Sequence, residues 1–579
     1  MLRIPSTKKL RFGTSGLRDL VENMTDKEVY VNTAGFLEYL KDNEGLKTRH
    51  PVALAGDYRS STERILKAVA TAISDCGFIV DYCGHIPSPA LIFYGMQNQM
   101  PSIMVTGSHI PDNRNGVKFA KASGEILKNE EQTLLACVEQ VRSAIEGRQS
   151  DASLFDNSGY FKEERGLPKE NKDAADHYCN RYLSVFPDGC LKGSKIVVYQ
   201  HSAVGRDMLT KILESLGAET VAPHETIPLT FRAEDAGKSI SCEIDLRSKK
   251  FVPVDTEKVT PKTKAVLQYL KAKYAPDFIV SMDGDSDRPL IADEQGCFLP
   301  GDQLGLICLT YLSIPPDKTF LALPVSTNDG VLEMLKSKGY TVHLTKIGSP
   351  YIVSKMIEAA TGSLNRQFAY TVGWEANGGF LLGSPLTIGK HEIKALPTRD
   401  AMLPILSVIL QAKRENMPAS KLFKKLLLPR FTVSAVIDNA TPGLEHYTSD
   451  LGQKIINRFS PGSEKIISCT RENDQFLTED ANGTKQKIST DEKCWERLCR
   501  IWKVLEKSFI QIELFRIHSV NFLDGIRVEF KNPHIVYHLR PSGNAPEFRS
   551  YVTANSQEEA EKIIQKRTKL IRSLINSII

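Results

Sequence analysis

Ser108 lies in a loop whose residue types suit phosphate chemistry: Val105-Thr106-Gly107-Ser108-His109-Ile110-Pro111, then Asp112-Asn113-Arg114-Asn115-Gly116-Val117-Lys118. A hydroxyl on a Gly-bearing turn can carry a covalent group, and His109 and Lys118 are close enough in sequence to assist. An ordinary strand-to-helix turn would use the same Gly, Ser and Asn, so this loop alone decides nothing. A second loop, Ser281-Met282-Asp283-Gly284-Asp285-Ser286-Asp287-Arg288-Pro289, sets three carboxylates at alternate positions, an oxygen-ligand site for a hard cation. Asp283, Asp285, Asp287 and Glu294 also fall at positions one, three, five and twelve of an EF-hand. Position six, which that loop needs as Gly, is Arg288, so the calcium hand is excluded and a Mg²⁺ site is expected.

A third loop, Gly373-Trp374-Glu375-Ala376-Asn377-Gly378-Gly379-Phe380, offers Glu375 and Asn377 as hydrogen-bond partners for hydroxyl groups, with glycines that allow a ligand close approach. A fourth, Leu539-Arg540-Pro541-Ser542-Gly543-Asn544-Ala545-Pro546-Glu547-Phe548-Arg549, brackets a hydroxyl and free backbone N–H groups with two guanidinium forks. That is a phosphate cradle in its chemistry, though not a Walker loop.

The elements that must position these loops read as strands. Apolar runs precede the first three: Pro101-Ser102-Ile103-Met104-Val105, Phe278-Ile279-Val280 and Phe368-Ala369-Tyr370-Thr371-Val372. A helix is expected after each loop, giving a strand–helix alternation whose ligands bind at the carboxyl ends of strands. The fourth loop lies between strand-like runs 534–539 and 548–553. With a strand at 525–530 and a helix at 556–578, the C-terminal unit reads as α+β. The expected architecture is α/β: three consecutive α/β domains with mixed, largely parallel sheets (1–175, 176–303 and 304–430) and a C-terminal α+β domain (431–579) around a central cleft.

Four loops in this order resemble the α-D-phosphohexomutase superfamily, most like its bacterial-type phosphomannomutase branch. Its phosphoserine, metal, sugar and phosphate loops correspond to 106–111, 283–288, 373–378 and 540–549. Arg11-Phe12-Gly13-Thr14-Ser15-Gly16-Leu17-Arg18 looks like the family's opening signature, and Asp57-Tyr58-Arg59-Ser60-Ser61 is also similar to it; the resemblance spans residues 11–553. It implies a phosphorylated Ser108 that gives its phosphoryl group to a sugar phosphate. The resulting 1,6-bisphosphate turns over and returns its other phosphate to Ser108. Hexose 1,6-bisphosphate is then an activator, and the expected activity is interconversion of mannose 6-phosphate and mannose 1-phosphate.

The implied catalytic residues are Ser108, His109, Lys118 and Arg18. Ser108, through its phosphate, and Asp283, Asp285 and Asp287 would hold Mg²⁺. Thr14, Ser15, Arg288, Glu375, Asn377, Arg540, Ser542, Gly543, Asn544 and Arg549 would bind substrate. Lys118 or His109 could take the hydroxyl proton, whereas the fixed charge of Arg18 suits charge stabilisation. Closure of the C-terminal domain would keep water from the phosphoserine. The sequence departs from the family pattern at Ile110, where Asn is usual, at Asn377, where Ser is common, and at Asn544-Ala545, where Thr-Glu is common. These departures touch sugar and phosphate contacts, not the reaction.

Glucose and mannose differ only at C2, so phosphoglucomutase or dual-specificity activity is the alternative. A phosphatase, or an inactive phosphosugar-binding protein, is a further reading, but every group the chemistry needs is present. The chain has 579 residues, more than one core usually holds, with 41% hydrophobic and 25% charged residues. The net charge of +5, from 74 basic and 69 acidic side chains, gives no argument for nucleic acid. Eleven scattered cysteines show no zinc spacing and, being odd in number, no complete disulfide framework. The polar, basic residues 1–12 lack a signal-peptide core, and the longest apolar stretch, 304–314, is too short to span a bilayer. A cytoplasmic protein, monomer or homodimer, with a small phosphosugar substrate and no nucleic-acid or membrane partner is expected. Two polar stretches, 147–173 and 472–492, read as surface loops or linkers.

Overall fold

The computed structural model describes residues 9–13, 16–147, 153–232, 238–363, 366–425, 430–438, 441–463, 465–473, 475–480, 483–490, 492–531, 534–542 and 547–577. The chain forms two compact units. One holds residues 1–323, 339–343 and 348–426, the other 324–338, 344–347 and 427–579.

The first unit is built on three mixed sheets. In the first, Pro51–Gly56 lies parallel to Ile79–Tyr82 and to Ser102–Val105, whose other neighbour, Arg114–Lys121, is antiparallel. Leu17–Leu20 completes it, pairing Arg18 with Gly116 across the ladder. In the second, Phe278–Met282 lies parallel to Lys195–Val198 and antiparallel to Pro289–Asp293. In the third, Tyr370–Trp374 lies parallel to Thr319–Pro324 and antiparallel to Phe380–Leu382. The central strands Ser102–Val105 and Phe278–Met282 are buried at every residue, as strands covered on both faces must be, which is why each reads as apolar but for one serine.

Here the sequence expectation needs one correction. A helix does not follow the motif loops directly; each loop joins a strand to its antiparallel neighbour and is a hairpin tip. Helices Glu131–Glu146, Gly301–Leu312 and Met402–Arg414 come only after those return strands. The return strand Arg114–Lys121 carries Asn115, Gly116 and two lysines, so it has no apolar run to betray it, although most of it is buried.

The second unit carries an antiparallel eight-stranded sheet, in which Ile535–Pro541 lies between Ile526–Phe530 and Phe548–Ala554. Helix Lys493–Ile510 buries Leu498, Ile501, Trp502, Leu505 and Phe509 at helical spacing, in one core with Val528, Phe530 and Tyr537. The expected helix at 556–578 is two, Gln557–Ile564 and Arg567–Asn576.

The two polar stretches are less detached than their composition suggests. Strands Gln475–Glu479 and Lys485–Lys487 extend the large sheet, with Phe476 fully buried, so 472–492 is in good part a charged edge hairpin. In the described part of 147–173, Phe155 packs edge-on to Tyr30 at 5.6 Å, and the Phe161 N–H donates to Asp26. Among the described residues, no helix is long and apolar enough to cross a membrane. All eleven cysteines are free.

Candidate active site

Ser108 sits on the hairpin tip after Ser102–Val105 with a φ of +57°, in the left-handed region that a non-glycine residue occupies only when its surroundings impose it. It is fully buried. Its N–H donates to Thr106 Oγ1 at 2.8 Å, and its Oγ donates to Asp283 Oδ2 at 2.7 Å, so the serine hydroxyl already lies on the aspartate cluster. Close packing of the two loops depends on Gly284: a Cβ there would fall 2.5 Å from the Ser108 carbonyl oxygen.

Asp283, Asp285 and Asp287 are buried, and their oxygens lie within 4.8 Å of one another. Asp283 Oδ1 accepts the N–H groups of Asp287 and Arg288 and so pins the turn. Burial, then the charges of Asp285 and Asp287, push Asp283 well above the usual carboxylate range. Burial works against ionisation of Asp285 and Asp287 too. Lys118 nevertheless brings Asp285 below its ordinary value, and Arg399, Lys118 and Arg288 hold Asp287 well below. Oδ1 of Asp285 and Oδ1 of Asp287 are buried without a hydrogen-bond donor. Buried carboxylate oxygens left without donors beside a third acid are the donor set of a hard divalent cation, and the residues fit Mg²⁺.

Cations surround this cluster. Lys118 Nζ donates to Asp285 Oδ2 at 2.5 Å and Asp287 Oδ2 at 2.9 Å. Arg288 Nη1 donates to His109 Nδ1 at 2.8 Å, and that same Nδ1 is 3.5 Å from Ser108 Oγ. With Nδ1 accepting, the neutral ring carries its proton on Nε2. Arg18 is buried; desolvation, then the neighbouring Arg288 guanidinium, lower its pKa to about 10, so it stays a cation at neutral pH.

Two residues that the sequence reading did not single out complete the site. Arg399 donates from Nε and Nη2 to Asp287 Oδ2 at 3.0 and 2.8 Å, and from Nη1 to Glu375 Oε2 at 3.0 Å and Ser349 Oγ at 3.1 Å. It thereby ties the metal loop to the sugar loop. Ser88, at the start of helix Ser88–Gln97, donates from Oγ to Asp285 Oδ2 at 2.6 Å. Neither stands in a pattern of its own; Arg399 is 112 residues from Asp287.

The sugar-loop side chains are engaged within the protein. Glu375 accepts from Arg399, and Asn377 Oδ1 accepts the Gly379 N–H at 3.0 Å, which shapes the loop. The tip packs against the first residue of helix Gly301–Leu312 so tightly that a Cβ on Gly301 would lie 2.2 Å from the Gly378 nitrogen.

In the second unit, Arg540 and Arg549 face each other across the ladder between the last two strands. Arg540 Nε lies 3.5 Å from Asp524 Oδ2, and Arg549 Nε donates to Glu547 Oε1 at 2.8 Å. Ser542 N–H donates to the Glu547 carbonyl at 2.8 Å, closing the base of the loop. The two arginines are cross-strand neighbours, and guanidinium forks of this kind suit the oxygens of a phosphate. Thr14, Ser15, Gly543 and Asn544, expected to bind substrate, lie outside the described residues.

These loops and sheets have counterparts. The family model described as phosphoglucomutase/phosphomannomutase, alpha/beta/alpha domain I, matches residues 9–144, and that of alpha/beta/alpha domain III matches residues 300–429. A phosphomannomutase of Sinorhizobium fredii is 32% identical over 563 residues, covering 97% of this chain and 99% of its own. A phosphomannomutase of Salmonella muenchen is 33% identical over 569 residues, covering 97% and 96%. Among solved structures, a phosphoglucomutase/phosphomannomutase family protein of Burkholderia thailandensis shares the fold, with a TM-score of 0.61 at 17% identity over 97% of each chain. With relatives matching nearly end to end and a buried serine set against three aspartates, this chain belongs to the phosphoglucomutase/phosphomannomutase family.

Proposed function

We propose that the protein is a phosphomannomutase that interconverts mannose 6-phosphate and mannose 1-phosphate through a phosphoserine at Ser108. The observation that carries this reading is the hydroxyl of Ser108, buried at a hairpin tip and 2.7 Å from the aspartate cluster. In the first half-reaction a sugar hydroxyl oxygen attacks the phosphorus on Ser108. A new P–O bond forms to the sugar, the P–Oγ bond breaks, and the hydroxyl proton passes to a protein base. In the second half Ser108 Oγ attacks the other phosphate of the 1,6-bisphosphate, the P–O bond to the sugar breaks, and the freed sugar oxygen takes the proton back from that base. Mg²⁺ held by Asp283, Asp285, Asp287 and the phosphate on Ser108 would offset the charge spread over the transferring phosphoryl oxygens.

Lys118 or His109 would take the hydroxyl proton, Lys118 only after giving up the proton it donates to Asp285 and Asp287. Arg18 remains charged and serves better as a fixed partner of phosphate oxygens. Arg288 orients His109, and Glu375 and Asn377 hold sugar hydroxyls. Arg540, Ser542, Gly543, Asn544 and Arg549 take the phosphate that is not transferred, and Thr14 and Ser15 contribute to substrate binding. Hexose 1,6-bisphosphate serves as activator by phosphorylating Ser108. We divide the chain into domains 1–175, 176–303, 304–430 and 431–579, with one principal sheet in each. A cytoplasmic setting agrees with eleven free cysteines, and we infer a monomer or homodimer acting on a phosphosugar.

Turnover of mannose 1-phosphate, glucose 1-phosphate and glucosamine 1-phosphate, with hexose 1,6-bisphosphate present, tests the assignment. Mannose 1-phosphate should give the highest kcat/KM. A site gripping phosphate and ring hydroxyls discriminates at C2 by roughly 1–3 kcal/mol, so measurable glucose turnover is expected. A strong preference for glucose or glucosamine would refute mannose and leave the mutase standing. Phosphate released faster than isomer forms would make the protein a phosphatase.

A further inference from the structure

Asp57 and Arg59 belong to a motif, Asp57-Tyr58-Arg59-Ser60-Ser61, to which the reaction above assigns no task. Both side chains are buried. Arg59 spends both terminal nitrogens of its guanidinium on one short segment. Nη2 donates to the carbonyls of Ser108 at 2.8 Å and Ile110 at 2.6 Å. Nη1 donates to those of Pro111 at 2.7 Å and Arg114 at 2.9 Å. Nε donates to Asp57 Oδ2 at 3.2 Å. One face of the guanidinium lies over the Phe251 ring, 3.8 Å from its centroid.

Asp57 works on the other side of the serine. Its Oδ2 accepts from Thr106 Oγ1 at 2.7 Å, and Thr106 Oγ1 in turn accepts the Ser108 N–H. Its Oδ1 accepts from Thr62 Oγ1 at 2.8 Å. The peptide groups on both sides of Ser108 are therefore held by one buried ion pair: the N–H through Thr106, the carbonyl by Arg59. The packing admits no slack. A Cβ on Gly107 would fall 2.6 Å from Arg59 Cζ, and one on Gly284 would meet both the Ser108 carbonyl and the Phe251 ring.

We propose that the Asp57–Arg59 pair is a positioning clamp that imposes the left-handed backbone at Ser108 and so aims its oxygen at the metal loop. The inference rests on the mutase reading and deepens it. Among the described residues Arg59 donates to backbone carbonyls and to Asp57 and stacks on Phe251, so it acts through the loop. A planar fork is required, because a lysine ammonium has three donors, cannot span four carbonyls and does not stack as a plane on Phe251.

The test compares wild type, Arg59→Lys and Phe251→Leu by thermal melting, by steady-state kinetics with mannose 1-phosphate, and by intact-mass time courses of Ser108 phosphorylation by hexose 1,6-bisphosphate. Misplacing the phosphoryl carrier should cost Arg59→Lys about tenfold to a hundredfold in kcat with little change in KM. Phosphorylation of Ser108 should slow by a similar factor, and Phe251→Leu should show a smaller loss of the same kind. A folded Arg59→Lys with wild-type kcat overturns the clamp, as does a rise in KM at unchanged kcat. If Arg59→Lys fails to fold, Phe251→Leu decides: a fall in kcat at unchanged KM supports the clamp, and wild-type kinetics overturn it. A wild-type protein with no turnover overturns the mutase reading and this inference with it.

Discussion

At the scale of single residues the protein concentrates cost where chemistry is expected. Ser108 is buried and left-handed, costs offset by the hydrogen bond its hydroxyl donates to Asp283 and by the contacts of its loop. Two substitutions separate its chemical role from its conformational cost. Ser108→Ala and Ser108→Gly should both abolish mutase activity, and both should lack the phosphate adduct that intact mass should show in the wild type. Their stabilities should differ, because glycine accepts a φ of +57° and alanine does not. Ser108→Gly should unfold at higher urea than Ser108→Ala, by about 1 kcal/mol. Equal stabilities would mean that the loop relaxes once the hydroxyl is gone. Asp285→Asn removes one charge from the cluster, and it should weaken Mg²⁺ binding by roughly tenfold or more. A chelator should inactivate the wild type reversibly, and activity indifferent to chelator would reduce the acidic loop to a turn.

Elements act here through side chains that join one loop to another, and Arg399 is the chief example. It comes from the strand Leu396–Asp400 and binds both Asp287 of the metal loop and Glu375 of the sugar loop. Arg399→Lys keeps the charge but cannot serve both carboxylates as a fork, so kcat/KM should fall by roughly 2 kcal/mol, about thirtyfold. Arg399→Leu leaves two buried carboxylates short of a partner and should destabilise the protein by about 3–5 kcal/mol in urea unfolding. A Lys variant with full activity would show that the two loops hold their geometry without the bridge. The sequence could point to Ser108 and the aspartates, since each sits in a compact local pattern after an apolar strand. It could not point to Arg399 or Ser88, whose meaning exists only once strands far apart in the chain are adjacent. The hairpin partners of the motif loops were hidden for a related reason. Arg114–Lys121 is buried by tertiary packing despite Asn, Gly and Lys, and Gln475–Glu479 turns only alternate residues inward.

On the scale of the whole molecule, each compact unit carries one deeply buried neutral histidine, a feature no composition argument foretells. His201 Nε2 donates to the Met282 carbonyl at 2.8 Å, and His538 Nε2 donates to the Asp524 carbonyl at 2.6 Å. In both, Nδ1 is buried with no hydrogen-bond partner, so a proton added there would find no acceptor. Burial accordingly lowers both pKa values to about 4. In the unfolded chain each ring titrates near its ordinary 6.5, so between 6.5 and 4 the unfolded state binds more protons. The stability that goes with the neutral rings is fully present above 6.5 and is lost as pH falls towards 4, on the order of 3 kcal/mol for each histidine. Carboxylates contribute their own slopes, as Asp57 does with its pKa raised by burial, but these are shared by variants that differ only at a histidine. Gln at either position keeps an amide N–H for the carbonyl and removes the titration. His201→Gln and His538→Gln should therefore lose stability on their own at pH 7.5 yet lose less of it than the wild type between pH 7.5 and pH 5. Urea unfolding of the three proteins at the two pH values measures this, and parallel losses would show that neither ring resists protonation in the folded chain.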